Sequence, residues 1–119
     1  MTEFVVENKE YLLPDIYDYL KHRPHLSLSV DVKNRINSSR KVLDDALSKD
    51  KVIYGVNTGF GKLSQVLIPK DKISELQENL ILSHAVGVGD YIPKDITILI
   101  ILLKIISLSK GYSGIRLII

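Results

Sequence analysis

The sequence predicts a mainly α-helical fold, with a short strand and loop segment ahead of its long helices. Apolar residues recur at helical spacing from Asp31 onward, and two later segments open on the same helix-starting spelling, Ile68-Pro69-Lys70-Asp71 and Ile92-Pro93-Lys94-Asp95. All seven glycines lie between Gly55 and Gly114, in clusters that separate the helical segments. At 119 residues the chain has one domain's length, enough to bury roughly two thirds of its unfolded surface around one core. Residues 1–119 are therefore expected to form a single domain.

At the N-terminus, Phe4-Val5-Val6 is apolar and β-branched enough for a short strand. Leu12 to Tyr19 reads as a brief helix carrying Pro14 in its first turn, where the missing N–H costs nothing. His22 and His25, beside Arg23 and Pro24, are expected in a solvated loop. From Asp31, read as the N-cap, Val32, Ile36, Leu43 and Leu47 line one face of an amphipathic helix that ends near Lys49. Lys51-Val52-Ile53-Tyr54 then reads as a strand or extended segment leading into the first glycine cluster.

The two proline-led segments carry an acid in the first turn, where the helix dipole favours negative charge. The first is expected to run through Ile73, Leu76 and Leu80 to His84 and stop by Gly87. The second spans about Asp95 to Lys110, with Gly111 suited to its C-terminal cap. Its apolar residues surround it on nearly all sides, so it expects neighbours on every side. After Gly114 a tight turn and a new helix are expected. The chain ends on Leu117-Ile118-Ile119 without a cap or polar tail, which suggests that covering structure lies further along a longer polypeptide.

Composition excludes several classes of function. With 45% hydrophobic and 25% charged residues the chain resembles a soluble globular domain, not a disordered one. Sixteen basic against fourteen acidic residues, with no run of five like charges, do not imply nucleic acid or an acidic membrane surface as partner. Cysteine is absent, so there is no thiolate nucleophile, disulfide or cysteine-ligated metal. The longest greasy stretch, Ile96 to Leu108, is too short for a bilayer that needs about 20 residues. Acidic Glu3, Glu7 and Glu10 stand where a signal peptide would be basic.

The glycine-rich run Gly55-Val56-Asn57-Thr58-Gly59-Phe60-Gly61-Lys62 invites a phosphate-loop reading, but its spacing fails. Leu63 follows Lys62 where Ser or Thr belongs, and Ser64 occupies the third glycine of a dinucleotide fingerprint. What remains is Tyr54 at the mouth of a glycine-punctuated loop, 54–62, expected to be mobile and able to swing a phenol over a site. Packing with a satisfied hydroxyl is the commoner fate of a tyrosine. His84 lies about 20° around the helix from Ile73, on the apolar face, where a core or capping histidine is the ordinary outcome. No second histidine or carboxylate at ligand spacing points to a metal. Ser113 lacks the Gly-x-Ser-x-Gly frame of a serine hydrolase, because Gly114 comes one residue early.

Three blocks together resemble the aromatic amino acid ammonia-lyases. They are Tyr54-Gly55-Val56-Asn57-Thr58-Gly59-Phe60-Gly61, then Leu76-Gln77-Glu78-Asn79-Leu80 running into Ser83-His84-Ala85-Val86-Gly87-Val88-Gly89, then Lys110-Gly111-Tyr112-Ser113-Gly114-Ile115-Arg116. Order and separations match the N-terminal portion of that family, with its histidine-specific members nearest. The resemblance implies an L-aspartase-like helical fold and elimination of ammonia from L-histidine to give urocanate, a step of histidine catabolism. It also implies a cytoplasmic homotetramer whose subunits share active sites. The family's electrophile is a methylidene-imidazolone made from an internal Ala-Ser-Gly. No Ala-Ser-Gly occurs here, so the cofactor is expected from residues outside this chain, and the 119 residues alone are expected to be inactive.

By the same resemblance Tyr54 is the catalytic base. A phenol ionises near pH ~10, so that role requires donors or positive charge around its anion. Gly61 matches a loop glycine beside the substrate, where a side chain would crowd it. Ser83 and His84 match the position facing the substrate's side chain, and an imidazole can hydrogen-bond another imidazole. Ile106 stands where the family usually has asparagine, which implies a local packing change. Alternative readings are a tyrosine or phenylalanine ammonia-lyase, a tyrosine aminomutase that returns the ammonia, and a non-catalytic helical interaction module in which Tyr54 and His84 only pack.

Overall fold

A computed structural model describes residues 2–119. The described elements are β1 (Glu3–Val6), α1 (Leu13–His22), β2 (His25–Leu28), α2 (Val30–Ser48), α3 (Ile73–His84) and α4 (Lys94–Leu108), with short 3₁₀ turns at Gly61–Leu63 and Lys70–Lys72. The fold is mainly helical, as the sequence predicts. Two compact units divide the chain, one running up to Asp44 and resuming at Tyr91–Ile119, the other comprising Asp45–Asp90.

In the first unit β1 alternates as the pleat demands, with Phe4 and Val6 turned into the core and Glu3 and Val5 out. It pairs in parallel with β2 in the register Glu3↔His25 to Val6↔Leu28, and α1 is the crossover that a parallel pair requires. Phe4, Val6 and Leu102 of α4 form the buried cluster, with Tyr11, Tyr19, Ile105 and Ile106 packed against it. Ile106 thus lies against the apolar cluster. Tyr19 meets the Phe4 ring edge-on, with centroids 5.0 Å apart.

Several sequence expectations shift at element ends. His22 is the last residue of α1 and His25 the first of β2, so neither lies in a loop. The left-handed turn at Arg23 (φ 46°) ends α1 and swings the chain back beside β1. At α2 the cap is Ser29, whose Oγ accepts the Val32 N–H at 3.3 Å, while Asp31 pairs with Arg35 one turn on. Helix α4 begins one residue after Pro93, and Ser109, not Gly111, is its cap. Its residues Ile96, Ile100, Ile101 and Leu103 are exposed, and only Leu102 is fully buried. No helix follows Gly114 among the described residues, where a turn at Leu117 and Ile118 takes its place.

The second unit holds the C-terminal end of α2, the glycine-rich loop and α3. Lys51 to Ile53 is not a strand, since it pairs with no neighbour and enters a helix-like turn at Tyr54. Helix α3 starts later than the proline spelling suggests, because Lys70–Lys72 forms a separate 3₁₀ turn, and it stops at His84. Among the described residues no helix is long and apolar enough to cross a membrane.

Candidate functional site

Every residue that the sequence singles out for chemistry lies in the second unit. The turn at Tyr54 is built by local hydrogen bonds. Val56 and Asn57 N–H both donate to the Ile53 carbonyl, at 3.1 and 3.2 Å. Asn57 then closes the turn with its side chain. Its Oδ1 accepts the Ile53 N–H at 2.8 Å, and its Nδ2 donates to the Lys51 carbonyl at 2.9 Å. Thr58, fully buried, accepts the Gly55 N–H on its Oγ1 at 3.2 Å. The base of the loop is tied by Gly59 N–H to Val66 O at 3.1 Å and Ile68 N–H to Asn57 O at 2.9 Å.

This scaffold leaves the tyrosine itself outward, with Tyr54 65% exposed. One edge of its ring meets Phe60, with centroids 6.1 Å apart and planes at 72°. Phe60 in turn lines an open cleft of about 430 Å³ with Leu76, Asn79, Leu80, Ser83 and His84. Phe60 of the loop and residues of α3 from Leu76 to His84 therefore line one concavity, and Tyr54 stands against it through Phe60.

His84 is exposed on α3 and not packed in a core. Its Nδ1 lies 2.8 Å from the Leu80 carbonyl and 3.0 Å from Ser83 Oγ, which itself donates to Leu80 O at 3.0 Å. A carbonyl only accepts, so Nδ1 carries the hydrogen, which in the neutral form of the ring leaves the lone pair on Nε2. Ser83 and Leu80 thereby fix both the ring and its tautomer. The imidazole offers an acceptor to a donor in the cleft.

Gly61 opens the 3₁₀ turn with φ +55°, a left-handed conformation that L side chains rarely adopt. Space is not what glycine supplies there, because a Cβ would meet nothing within 4 Å among the described residues. Within the protein, glycine there answers a backbone requirement. Gly59 is the closely approached glycine, since its Cβ would lie 2.7 Å from both the Cβ and the carbonyl oxygen of Leu63.

Asn57, Thr58, Phe60, Gln77 and Asn79 belong to the site and carry no role in the sequence reading. Their only sequence signal is that they fall inside the two blocks that hold Tyr54 and His84. The described residues contain no group of three or more His, Asp or Glu placed to hold a metal ion.

Comparison with known proteins extends this geometry. A family profile described as aromatic amino acid lyase matches residues 12–119. The chain is 44% identical over 117 residues to a histidine ammonia-lyase of Alkaliphilus oremlandii, covering 98% of this chain and 23% of that protein. It is 54% identical over 82 residues to the histidine ammonia-lyase of Streptococcus pyogenes, covering 69% of this chain and 16% of that one. Among solved structures it is similar to the phenylalanine aminomutase of Pantoea agglomerans, with TM-score 0.88 and 34% identity, over 99% of this chain and 23% of that one. The histidine ammonia-lyase of Trypanosoma cruzi is similar at TM-score 0.82 and 29% identity, over 97% and 22% of the two chains. The chain thus spans about a quarter of the length of the relatives it matches.

Proposed function

Because the chain belongs to the aromatic amino acid lyase family, we propose that it is the N-terminal part of an enzyme that eliminates ammonia from L-histidine to give urocanate. Tyr54 is the base and His84 the residue beside the substrate's side chain. The observation that carries this reading is a cleft lined by Phe60, Ser83 and His84, with Tyr54 in contact with Phe60.

Elimination breaks a carbon-bound hydrogen of very low acidity and a bond to a poor leaving group. Both need help in the same step. The Tyr54 phenolate oxygen takes the proton from the β-carbon, and the electron pair of that C–H bond becomes the new C=C as ammonia departs. His84, with its lone pair on Nε2, accepts the N–H of the substrate's imidazole and sets which carbon faces the phenol. Asn57 and Thr58 hold the turn that carries Tyr54, and Gly61 gives the chain its sharp exit from the loop.

In this family the electrophile formed from Ala-Ser-Gly makes the amino group able to leave. None of the serines here stands between alanine and glycine, so this chain does not supply that group, which belongs to another part of the polypeptide. The exposed apolar residues of α4 suit burial against such further structure. By the same reading the complete enzyme is a cytoplasmic homotetramer with shared active sites, and the 119 residues alone are inactive.

A second reading, an aminomutase that returns ammonia to the neighbouring carbon, is favoured by the likeness to the Pantoea phenylalanine aminomutase. Product analysis separates the two. Incubated with histidine, tyrosine and phenylalanine, the complete enzyme is expected to release ammonia from histidine with urocanate as partner product. A β-amino acid product, or preference for tyrosine or phenylalanine, overturns the histidine assignment.

A further inference from the structure

The Tyr54 turn is held in two different ways. Internally it is tight, with the Asn57 side chain bonded at 2.8 and 2.9 Å and the Thr58 hydroxyl at 3.0 and 3.2 Å. To α3 it is joined by one side-chain hydrogen bond among the described residues, from Gln77 Nε2 to the Gly55 carbonyl at 3.4 Å, across 22 positions of sequence. That bond is long for N–H···O, where about 2.9 Å is usual, and therefore weak. A turn stiff within itself and loosely tied to its neighbour moves as one body when the tie breaks.

Gln77 sits seven residues before His84 on α3. That is about 20° around the helix and about 10 Å along its axis, so the two share one face. A single helix face therefore ties the tyrosine turn at one point and carries the imidazole two turns further on. The reacting carbon and the ring of a bound amino acid must span from phenol to imidazole, and the Gln77 amide fixes one end of that span.

We propose that Gln77 is a positioning residue for Tyr54: by donating to the Gly55 carbonyl it anchors the tyrosine turn to α3 and sets the distance between the phenol and His84. This rests on Tyr54 being the base. Gln77 is half-buried and contacts the loop's backbone, so any loop sequence with the same turn is held alike. Its neighbours Leu76 and Leu80 line the cleft and pack, but neither can restrain a carbonyl.

The test compares Gln77→Leu, which removes the amide, with Gln77→Glu, which keeps its size but turns an acceptor toward the Gly55 carbonyl. In the complete enzyme, trypsin cleavage after the exposed Lys62 is expected to quicken roughly two- to threefold in both, the low end of what one neutral hydrogen bond carries, as suits a long one. This readout is independent of any lyase activity. Unchanged cleavage in both variants overturns the anchor even if Tyr54 proves to be the base. In activity, Gln77→Leu is expected to lower kcat by a similar factor in the wild-type background and to have no further effect on the residual rate of Tyr54→Phe, since it acts through that phenol. An equal loss in both backgrounds identifies Gln77 as merely structural. Full activity of Gln77→Glu overturns the requirement for a donor.

Discussion

Asn57 is the residue on which the tyrosine turn most depends, and Asn57→Ala tests this locally. The side chain is only 6% exposed and makes two bonds, accepting from Ile53 N–H and donating to Lys51 O. Lys51 is exposed, so water replaces the lost donor and that loss is small. Ile53 is half-buried, and its stranded N–H adds the cost of an unmet buried donor, about 1–3 kcal/mol. The main-chain bonds of Asn57 survive the change. The turn is thus expected to open more easily by about 2 kcal/mol, which at 1.4 kcal/mol per decade is roughly thirtyfold faster exchange of the Ile53 amide hydrogen. Asn57→Asp keeps the Oδ1 acceptor, so its Ile53 amide is expected to stay much better protected than in the alanine variant. Residue-resolved hydrogen exchange reads both. Wild-type exchange in Asn57→Ala, or equal loss of protection in Ala and Asp, refutes the bond's role in holding the turn.

Three further outcomes are expected. Gly59→Ala forces a Cβ within 2.7 Å of the Leu63 backbone oxygen, so it should destabilise the loop by about 1–3 kcal/mol, seen as a lower thermal midpoint; an unchanged midpoint contradicts the close approach. Leu102→Ala empties a 1% exposed position against Phe4 and Val6 and should cost about 2–5 kcal/mol in urea unfolding, and a cost below ~1 kcal/mol contradicts its place in the core. His84→Leu removes the Nε2 acceptor and should shift relative kcat/KM away from histidine toward phenylalanine and tyrosine by about tenfold or more; unchanged relative rates speak against contact with the substrate's ring.

The sequence made the helices legible because α2 and α3 each carry an apolar stripe at helical spacing and α4 is apolar throughout. It hid β2, because His25-Leu26-Ser27-Leu28 is four residues long and its strand character comes from pairing with β1, 22 positions earlier. Lys51 to Ile53 looks like a strand for its β-branched residues, yet the Asn57 side chain captures the Ile53 N–H and bends the chain into a turn. Strand propensity lost there to one local side-chain-to-backbone hydrogen bond. At the site, Tyr54 and His84 stood out by motif. Asn57 and Gln77 did not, since a lone amide in a loop or on a helix has no periodicity, and its partners are backbone groups that only the folded chain brings near. The positive φ of Gly61 is likewise invisible in the sequence, because a glycine's spelling is the same whether it supplies space or a left-handed turn.

Urocanate absorbance after addition of L-histidine, followed for the complete enzyme and for its Tyr54→Phe variant, is the most direct measurement. Loss of a positioned base is expected to slow formation of the product by roughly a hundredfold to ten-thousandfold while the protein still folds. Equal rates in the two proteins would show that the phenol does not take the proton.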